Sequence, residues 1–246
     1  MKRKTRKIVS LISMLLFPLT LNFFSPYVSI DGALVGVVSG SLIVFACMTL
    51  TGLIFRRAWC SYVCPWSMPS DILATINAKS INRGKTVKIR YTIFGVWGFG
   101  IFIAFILAGG IQGVDPFHLT ERYVSVDEPM KYITYYMVIA LLFMVTVFMG
   151  KRGACHTICW MSPFLEFGAW LGDKLHLPQY KVRSVPDSCI SCEKCNKACP
   201  MSIDVMNGLL KGQIDSPDCI LCGDCVDQCP KHVLSIQIHR KGRKNT

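Results

Sequence analysis

Four long apolar stretches, none of which contains a charged side chain, dominate the first 150 residues. A helix needs about 20 apolar residues to cross a bilayer, and each stretch is close to that length. The pattern therefore predicts a membrane all-α domain with four transmembrane helices in two repeated hairpins. The predicted spans are Ile8–Ile30, Gly32–Phe55, Tyr91–Val114 and Tyr132–Met149.

The first predicted hairpin has two features of its own. Asp31 alone separates the first two apolar stretches, which predicts a tight turn between them. Pro18 and Pro26 lie inside the first stretch, and each removes a backbone hydrogen bond. We therefore expect the first span to be bent.

The pattern changes in the last third of the chain, where short segments replace the long apolar ones. Ser202–Lys211 is predicted to be a short helix, with Ser202 as its N-cap and Gly212 at its end. Val233–His239 alternates between apolar and polar residues, which is typical of a strand. These elements favour a small α+β domain.

The distribution of charge predicts how the chain sits in the membrane. Lys and Arg are concentrated in the N-terminal tail and in the 56–90 loop, whereas the 115–129 loop holds one Arg and four acids. The positive-inside rule then places the N-terminus, the 56–90 loop and everything after Lys151 in the cytoplasm. We expect a multi-pass protein of the bacterial inner membrane. Because the location of the Lys and Arg residues explains the net charge of +12 as a signal for orientation, we expect no nucleic-acid partner.

Eight of the 13 cysteines form two runs with the same spacing, C-x2-C-x2-C-x3-C-P. This spacing is typical of two-cluster bacterial ferredoxins, in which the fourth cysteine of each run ligates the other cluster. Zinc sites show paired C-x2-C knuckles instead, and disulfides are rare on the cytoplasmic side. Two [4Fe–4S] clusters are therefore predicted. The ligands are Cys189, Cys192, Cys195 and Cys229 for cluster I, and Cys219, Cys222, Cys225 and Cys199 for cluster II.

These motifs divide the chain into two predicted domains. Residues 1–178 form the transmembrane domain, and residues 179–246 form a cytoplasmic ferredoxin-like domain with two [4Fe–4S] clusters. A unit as small as the second has little core of its own, so the clusters would supply much of its folding free energy.

A second cysteine motif, C-x3-C, occurs twice at an interval of 95 residues. Each pair follows an arginine by three residues, and the residues concerned are Arg57, Cys60 and Cys64, then Arg152, Cys155 and Cys159. Residues four apart share a helix face, so two pairs can present four sulfurs together. The hypotheses are an extra metal centre, a thiol redox relay or part of a quinone-reacting site. The alternative is that the cysteines only pack two helix ends.

Two groups of residues are candidates for quinol chemistry, which needs a proton acceptor near the membrane edge. Asp115 and His118 follow the third span, at the predicted outer face. His156 lies beside Cys155, at the predicted inner face, with Arg57 and Arg152. The inner group is favoured, because an outer site needs a cofactor to carry electrons across the bilayer.

These motifs together resemble the NapH/MauN-type family of membrane ferredoxin-like proteins, described as 4Fe–4S quinol dehydrogenase membrane components. The resemblance implies that the C-x3-C cysteines are the paired motif cysteines of that family, and that the eight later cysteines are its cluster ligands. The family motif ends in Cys-Pro twice. Here Cys64 is followed by Pro65, but Cys159 is followed by Trp160. The second motif therefore departs from the family pattern.

The predicted function is that of a membrane-bound electron-transfer subunit. It passes electrons between quinol or menaquinol and redox partner proteins, and its other partners are membrane lipid and the quinone pool. No nucleotide-binding G-x-G-x-x-G follows a strand, so we expect a component of a quinol dehydrogenase complex. The alternative is a maturation factor for a respiratory metalloenzyme, with the C-x3-C pairs as a metal or thiol redox site.

Overall fold

The computed structural model describes residues 3–81, 83–120, 125–126 and 129–239, and most of them are helical. Three of the four acids in the predicted outer loop, Glu121, Asp127 and Glu128, lie outside the described residues. The helices are α1 (Arg3–Leu15), α2 (Phe17–Phe24), α3 (Pro26–Leu34), α4 (Gly40–Phe55), α5 (Trp59–Tyr62), α6 (Ser67–Ile76), α7 (Arg83–Leu107), α8 (Pro129–Met149), α9 (Gly153–Thr157), α10 (Ser162–Lys174), α11 (Lys194–Ala198), α12 (Val205–Leu210) and α13 (Asp224–Asp227). The strands are β1 (Val37–Ser39), β2 (Gly113–Asp115), β3 (Gln179–Ser184), β4 (Gln213–Ile214) and β5 (Leu234–His239).

Two helices among the described residues are long and apolar enough to cross a membrane. They are α7, through Thr86–Leu107, and α8, through Met130–Met149. A third crossing is available if α1 and α2 count as one span, although they meet at an angle of 84°. The chain is therefore a membrane protein with two or three candidate spans in its described part, where the sequence predicted four.

The predicted spans Ile8–Ile30 and Gly32–Phe55 differ from the structure for local reasons. Pro18 and Pro26 lie in the first turns of α2 and α3, so the first stretch is divided into three helices and the expected bend is confirmed. α4 has only 16 residues, fewer than a bilayer crossing needs. Neither stretch forms one straight transmembrane helix.

The predicted tight turn at Asp31 is wrong, because Asp31 lies inside α3. The chain turns after α3 instead, where Gly36 adopts φ +71°, a conformation that favours glycine. A side-chain carbon on Gly36 would lie 2.9 Å from the carbonyl oxygen of Gly110. Beyond the turn, β1 pairs in parallel with β2, which follows α7. This pairing fixes the chain after α3 to the far end of α7.

The closest helix packing joins α4 to α10, and three glycines make it possible. An added carbon on Gly168 would lie 2.2 Å from the carbonyl oxygen of Thr49, and one on Gly172 would lie 2.3 Å from that of Leu53. Gly52 similarly faces the backbone of Leu165. α10 is therefore held against the membrane helices, with only part of its surface exposed.

We expect Gly168→Ala to destabilise the protein by about 2 kcal/mol, because the new methyl group meets backbone that cannot move aside. Gly98→Ala in α7 is the matched control. Nothing lies within 4 Å of its added carbon, and Ala is favoured over Gly inside a helix by about 0.5–1 kcal/mol. Thermal unfolding in detergent should shift in opposite directions for the two variants. Equal shifts would contradict the close packing of α4 and α10.

The last third of the chain forms a small α+β unit, as predicted. Its antiparallel sheet has the strand order β4-β3-β5, and β5 agrees with the predicted strand. The predicted helix is shorter than expected and its N-cap is Asp204, whose carboxylate accepts a hydrogen bond from the Asn207 amide at 3.1 Å. Ser202 instead adopts φ +51° in the preceding loop.

Candidate functional site

Two small cavities in the C-terminal unit are each lined by four cysteines. One contains Cys189, Cys192, Cys195 and Cys229, and the other contains Cys199, Cys219, Cys222 and Cys225. All eight are free thiols. Each cavity thus combines three cysteines of one run with the fourth of the other run. Four thiols around one small space suit a [4Fe–4S] cluster, so the residues present fit that group.

The two cysteine loops share an unusual backbone shape. In the first loop Ser191 and Glu193 have positive φ angles of 53° and 54°, and in the second Leu221 and Gly223 have 53° and 81°. These residues occupy equivalent positions, directly before and after the middle cysteine. Left-handed residues are costly unless the surrounding structure requires them, so their repetition indicates a shared structural demand. In each loop, this backbone shape allows the three cysteines to surround the cavity.

The two cavities differ in their surroundings. Ile190 and Ile220 occupy equivalent positions, yet Ile190 is 57% exposed and Ile220 only 2%. Cys192 is exposed as well, whereas its equivalent Cys222 is partly buried. The first cavity therefore lies at the protein surface, and the second faces the interior of the molecule.

The two C-x3-C motifs lie next to each other, close to this second cavity. Cys60 lies in α5 and Cys155 in α9, each in the short helix that follows a longer apolar helix. Arg152 of the second motif donates to the carbonyl oxygen of Cys60 in the first, at 3.0 Å. Burial raises the pKa of Cys159 to about 12, and the nearby Cys155 thiol adds to the rise. The structure thus brings the four predicted cysteines near one another, with Cys60 buried and the other three partly buried.

Two further observations bear on the hypotheses for these cysteines. Among the residues with described positions, no group of three or more His, Cys, Asp or Glu side chains is close enough together to hold a single metal ion, either at the C-x3-C motifs or at the two cavities that suit a larger cluster. An extra metal centre at the C-x3-C motifs is therefore unsupported. His156, of the inner candidate group, is fully buried in α9 next to Cys155.

A buried charge network joins the membrane part to the second cysteine loop. Asp218, directly before Cys219, is fully buried and accepts hydrogen bonds from Arg57 at 2.6 Å and from Arg90 at 3.2 Å. The same two arginines bond Glu166, which also accepts from the Tyr91 hydroxyl at 2.5 Å. Because buried charges require partners, the network fixes the loop in place.

A second charge network also joins the membrane part to the second cysteine loop. The Nη2 of Arg6 in α1 donates to both carboxylate oxygens of Asp224 in α13, at 2.9 and 3.1 Å. Arg6 also bonds Asp71, which accepts from Arg152 at 2.6 Å. The arginine of the second C-x3-C motif is therefore linked, through α6 and α1, to the helix that carries Cys225.

The membrane part contains one large cavity next to the C-x3-C cysteines, which we call the membrane groove. It measures about 490 Å³, and its lining includes Phe24, Cys64, Trp66, Val138, Leu142 and Cys155. Tyr27 and Leu141 also line it and are 66% and 56% exposed. The groove is therefore almost entirely apolar and opens onto the lipid-facing surface.

Residues 188–234 match the family described as the 4Fe-4S dicluster domain. The chain carries an iron–sulfur domain. The match covers both cysteine loops, and it supports iron–sulfur clusters as the cofactor of this part of the protein. No solved structure matches the chain.

Comparison with curated proteins extends the similarity into the membrane part. The chain is 26% identical to YccM of Escherichia coli strain K12 over 83% of this chain and 57% of that protein. It is 26% identical to the ferredoxin-type protein NapH of the same organism over 80% and 67%, respectively. The methylamine utilization ferredoxin-type protein MauN of Paracoccus denitrificans is 26% identical over 83% and 70%. The resemblance to the NapH/MauN-type proteins is thus confirmed, and an iron–sulfur electron-transfer role is supported.

The outer candidates, Asp115 and His118, form a separate group. His118 Nε2 lies 2.8 Å from Asp31 of α3, and its Nδ1 lies 4.0 Å from Asp115. Arg90, near the start of α7, contacts Asp218, whereas Asp115 follows the other end of that helix. The intervening 17 residues of α7 measure about 25 Å at ~1.5 Å per residue. The structure therefore does not bring the outer pair to the iron–sulfur domain.

Several residues that build the site were not predicted from the sequence. Asp218, Glu166 and Arg90 form the buried network, and Trp66 forms part of the groove. The one available signal was the position of Asp218 beside Cys219, a predicted cluster ligand. The others lie far from the motifs along the chain, and only the fold brings them together.

Proposed function

We propose that the protein is a membrane-bound electron-transfer subunit that passes electrons between quinol, such as menaquinol, and redox partner proteins through two [4Fe–4S] clusters. The observation that carries this proposal is the 2.6 Å contact between Arg57 and Asp218. Arg57 belongs to the first C-x3-C motif, whose Cys64 lines the membrane groove. Asp218 adjoins Cys219, so a lipid-accessible cavity and an iron–sulfur loop share one rigid junction.

The proposed cluster ligands follow the two cysteine-lined cavities. Cluster I takes Cys189, Cys192, Cys195 and Cys229, and cluster II takes Cys219, Cys222, Cys225 and Cys199. When bound, each cluster supplies a one-electron carrier. The exposed position of Cys192 suits contact with a soluble redox partner, whereas the buried loop around Cys222 suits exchange with the membrane part.

The guanidinium groups at the junction offset the negative charge that four thiolates bring to each cluster. Arg57 and Arg152 are fully buried, and Arg6 is nearly so. Each is paired with a carboxylate, which holds the cation in place when the charge of the neighbouring site changes. These arginines are positioning residues in this proposal.

The proposed orientation places the N-terminus, the C-x3-C motifs and the iron–sulfur domain in the cytoplasm. The support is the Lys and Arg content of the N-terminal tail and the 56–90 loop. The proposed division into a transmembrane domain, 1–178, and a ferredoxin-like domain, 179–246, is consistent with the sheet, whose first strand begins at Gln179.

The test is anaerobic reduction of the purified full chain in lipid nanodiscs. Addition of a menaquinol analogue should reduce the clusters, and EPR and the loss of visible absorbance report the change. Dithionite added to a parallel sample measures the full reducible amount. Clusters that accept electrons from dithionite but remain oxidised with the quinol analogue would refute the proposed donor.

A further inference from the structure

The first helix, α1, turns its polar side toward the protein and its apolar side outward. Arg6 and Ser10 are each only 3% exposed, and Arg6 bonds the carboxylate of Asp224. The opposite side carries three exposed apolar residues, Ile8, Ile12 and Leu15. Successive residues of a helix are about 100° apart around its axis, so Ile8 and Leu15 lie almost directly opposite Arg6. An exposed apolar face of this size indicates a surface that lipid or a partner covers.

Two contacts determine how α1 lies against the rest of the membrane part. Near its start, Arg6 bonds Asp71 of α6 at 3.1 Å. Near its end, the Ser13 hydroxyl donates to the carbonyl oxygen of Val63, directly after α5. Both ends of α1 are thus attached to the short helices around the first C-x3-C motif, and α1 meets α2 at 84°. α1 therefore lies along the edge of the membrane part and does not continue α2 across the bilayer.

The apolar face of α1 points away from the iron–sulfur domain. Arg6 donates to both carboxylate oxygens of Asp224 in α13, so the polar side of α1 faces the second cysteine loop. The opposite side therefore faces the bilayer that α7 and α8 cross. α6, which packs against α1, adds two more exposed apolar residues, Ile72 and Ile76. The iron–sulfur domain thus rests on a helix whose other side contacts lipid.

Two lysines indicate which lipid suits this helix. Lys4 and Lys7 are exposed at the start of α1, and Lys4 shares a helix face with Ile8, four residues later. α1 contains no acidic residue that could pair with them. A helix that combines exposed basic and apolar residues lies at the membrane interface and favours anionic headgroups. An apolar partner helix would use only the isoleucines, whereas an acidic phospholipid uses the lysines as well.

We infer that α1 lies in the headgroup layer of the leaflet next to the iron–sulfur domain and binds acidic phospholipid. Lys4 and Lys7 contact the headgroup, and the apolar face enters the acyl region. The bound lipid holds α1 in place and thereby supports the contact of Arg6 with Asp224. This inference goes beyond the proposed function, because it assigns a lipid-binding surface that requires no electron donor.

Photocrosslinking of the full chain tests the location. A trace of phosphatidylglycerol with a diazirine in its acyl chain is added to phosphatidylcholine nanodiscs, illuminated, and its adducts are mapped by mass spectrometry. Label on α1 is expected. Replacing part of the phosphatidylcholine by unlabelled phosphatidylglycerol should reduce that label and leave the label on α7 and α8 unchanged. Label absent from α1, or an α1 label that does not respond to this replacement, would overturn the inference.

Matched pairs of lysine variants test the role of charge. Lys4→Gln with Lys7→Gln keeps the apolar face, and each lost lysine should reduce the preference for phosphatidylglycerol over phosphatidylcholine about fivefold. Lys4→Arg with Lys7→Arg keeps both charges and should preserve the preference. Lys211→Gln with Lys231→Gln removes the same charge from two exposed residues of the iron–sulfur domain and should have no effect. An unchanged preference in the first pair would refute the inference.

Hydrogen exchange tests whether the lipid supports the contact between α1 and α13. The amides of both helices should exchange more slowly in phosphatidylglycerol nanodiscs than in phosphatidylcholine nanodiscs. The difference should disappear when Lys4 and Lys7 are both replaced by Gln, while iron and sulfide content shows that each variant is loaded. Equally slow exchange of α1 in both lipids, with a protein copurifying, would show that a partner covers this face and that the inference is wrong. None of these measurements uses quinol, so their failure leaves the proposed function standing, and failure of quinol reduction leaves the lipid site standing.

Discussion

Replacing Cys229 with Ala is expected to remove the cluster associated with the first cysteine run and to preserve the other. The reason is that Cys229 lines the same cavity as Cys189, Cys192 and Cys195, although it belongs to the second run. Iron and acid-labile sulfide should fall by about half, because one of the two proposed [4Fe–4S] clusters is lost. Cys199→Ala is the matched variant for the other cavity.

Alkylation under anaerobic conditions identifies the cluster that is lost, since a ligating thiolate is protected and a free thiol reacts. In the Cys229→Ala protein, Cys189 and Cys192 should become reactive, while Cys219 and Cys222 stay protected. In the Cys199→Ala protein the pattern should reverse. Ligation within each run would give the opposite assignment in both variants and would refute the proposed ligand sets.

The second large effect is expected for Asp218→Ala. Asp218 is fully buried and accepts from both Arg57 and Arg90, so its removal leaves two buried cations with one fewer acceptor. Breaking a buried ion pair by removing one partner costs about 3–5 kcal/mol. The loop that carries Cys219 would also lose its anchor to the membrane part. We therefore expect a lower unfolding temperature together with slower reduction of the clusters by quinol.

Asp187→Ala is the control for Asp218→Ala. Asp187 precedes the first cysteine run closely, as Asp218 precedes the second, but its side chain is exposed. Its removal should change stability by less than about 0.5 kcal/mol, as is usual for surface substitutions. Thermal unfolding in detergent and quinol-dependent reduction are measured for both proteins. Similar behaviour of the two variants would show that the buried network does not hold the junction together.

The sequence was most informative where chemistry dictates spacing. In two-cluster ferredoxins, one tight loop supplies three of the four thiolates that bind each [4Fe–4S] cluster. The C-x2-C-x2-C spacing of that loop can therefore be recognised without knowledge of the fold. The structure lines each cavity with the four cysteines that the spacing assigns to one cluster, although ligation itself stays a prediction. The meeting of the two C-x3-C motifs followed from their repetition after similar apolar helices.

Hydrophobic pattern alone was less informative about the membrane helices. The stretches Ile8–Ile30 and Gly32–Phe55 are long enough to span, but Pro18, Pro26 and Gly36 interrupt them. A count of apolar residues cannot distinguish a straight span from bent or short helices packed at angles. The second predicted span also contains the β1 strand and its turn.

The groove and the charge networks were beyond sequence reasoning, since they depend on contacts between distant segments. Arg90 and Asp218 are 128 positions apart, and Arg57 and Glu166 are 109 apart. Nothing in the local sequence around Glu166 indicates a buried carboxylate. The membrane groove likewise exists only because α8 and α2 leave space beside Trp66.

The contact of Arg6 with Asp224 has a consequence for biosynthesis. The two residues are 218 positions apart, so α1 leaves the ribosome well before its carboxylate partner in α13 is synthesised. α1 can enter the membrane early, but its buried guanidinium acquires this carboxylate partner only after translation has passed the second cysteine loop. Completion of the membrane part is thereby tied to maturation of the iron–sulfur domain, and a chain truncated before that loop leaves Arg6 without this partner.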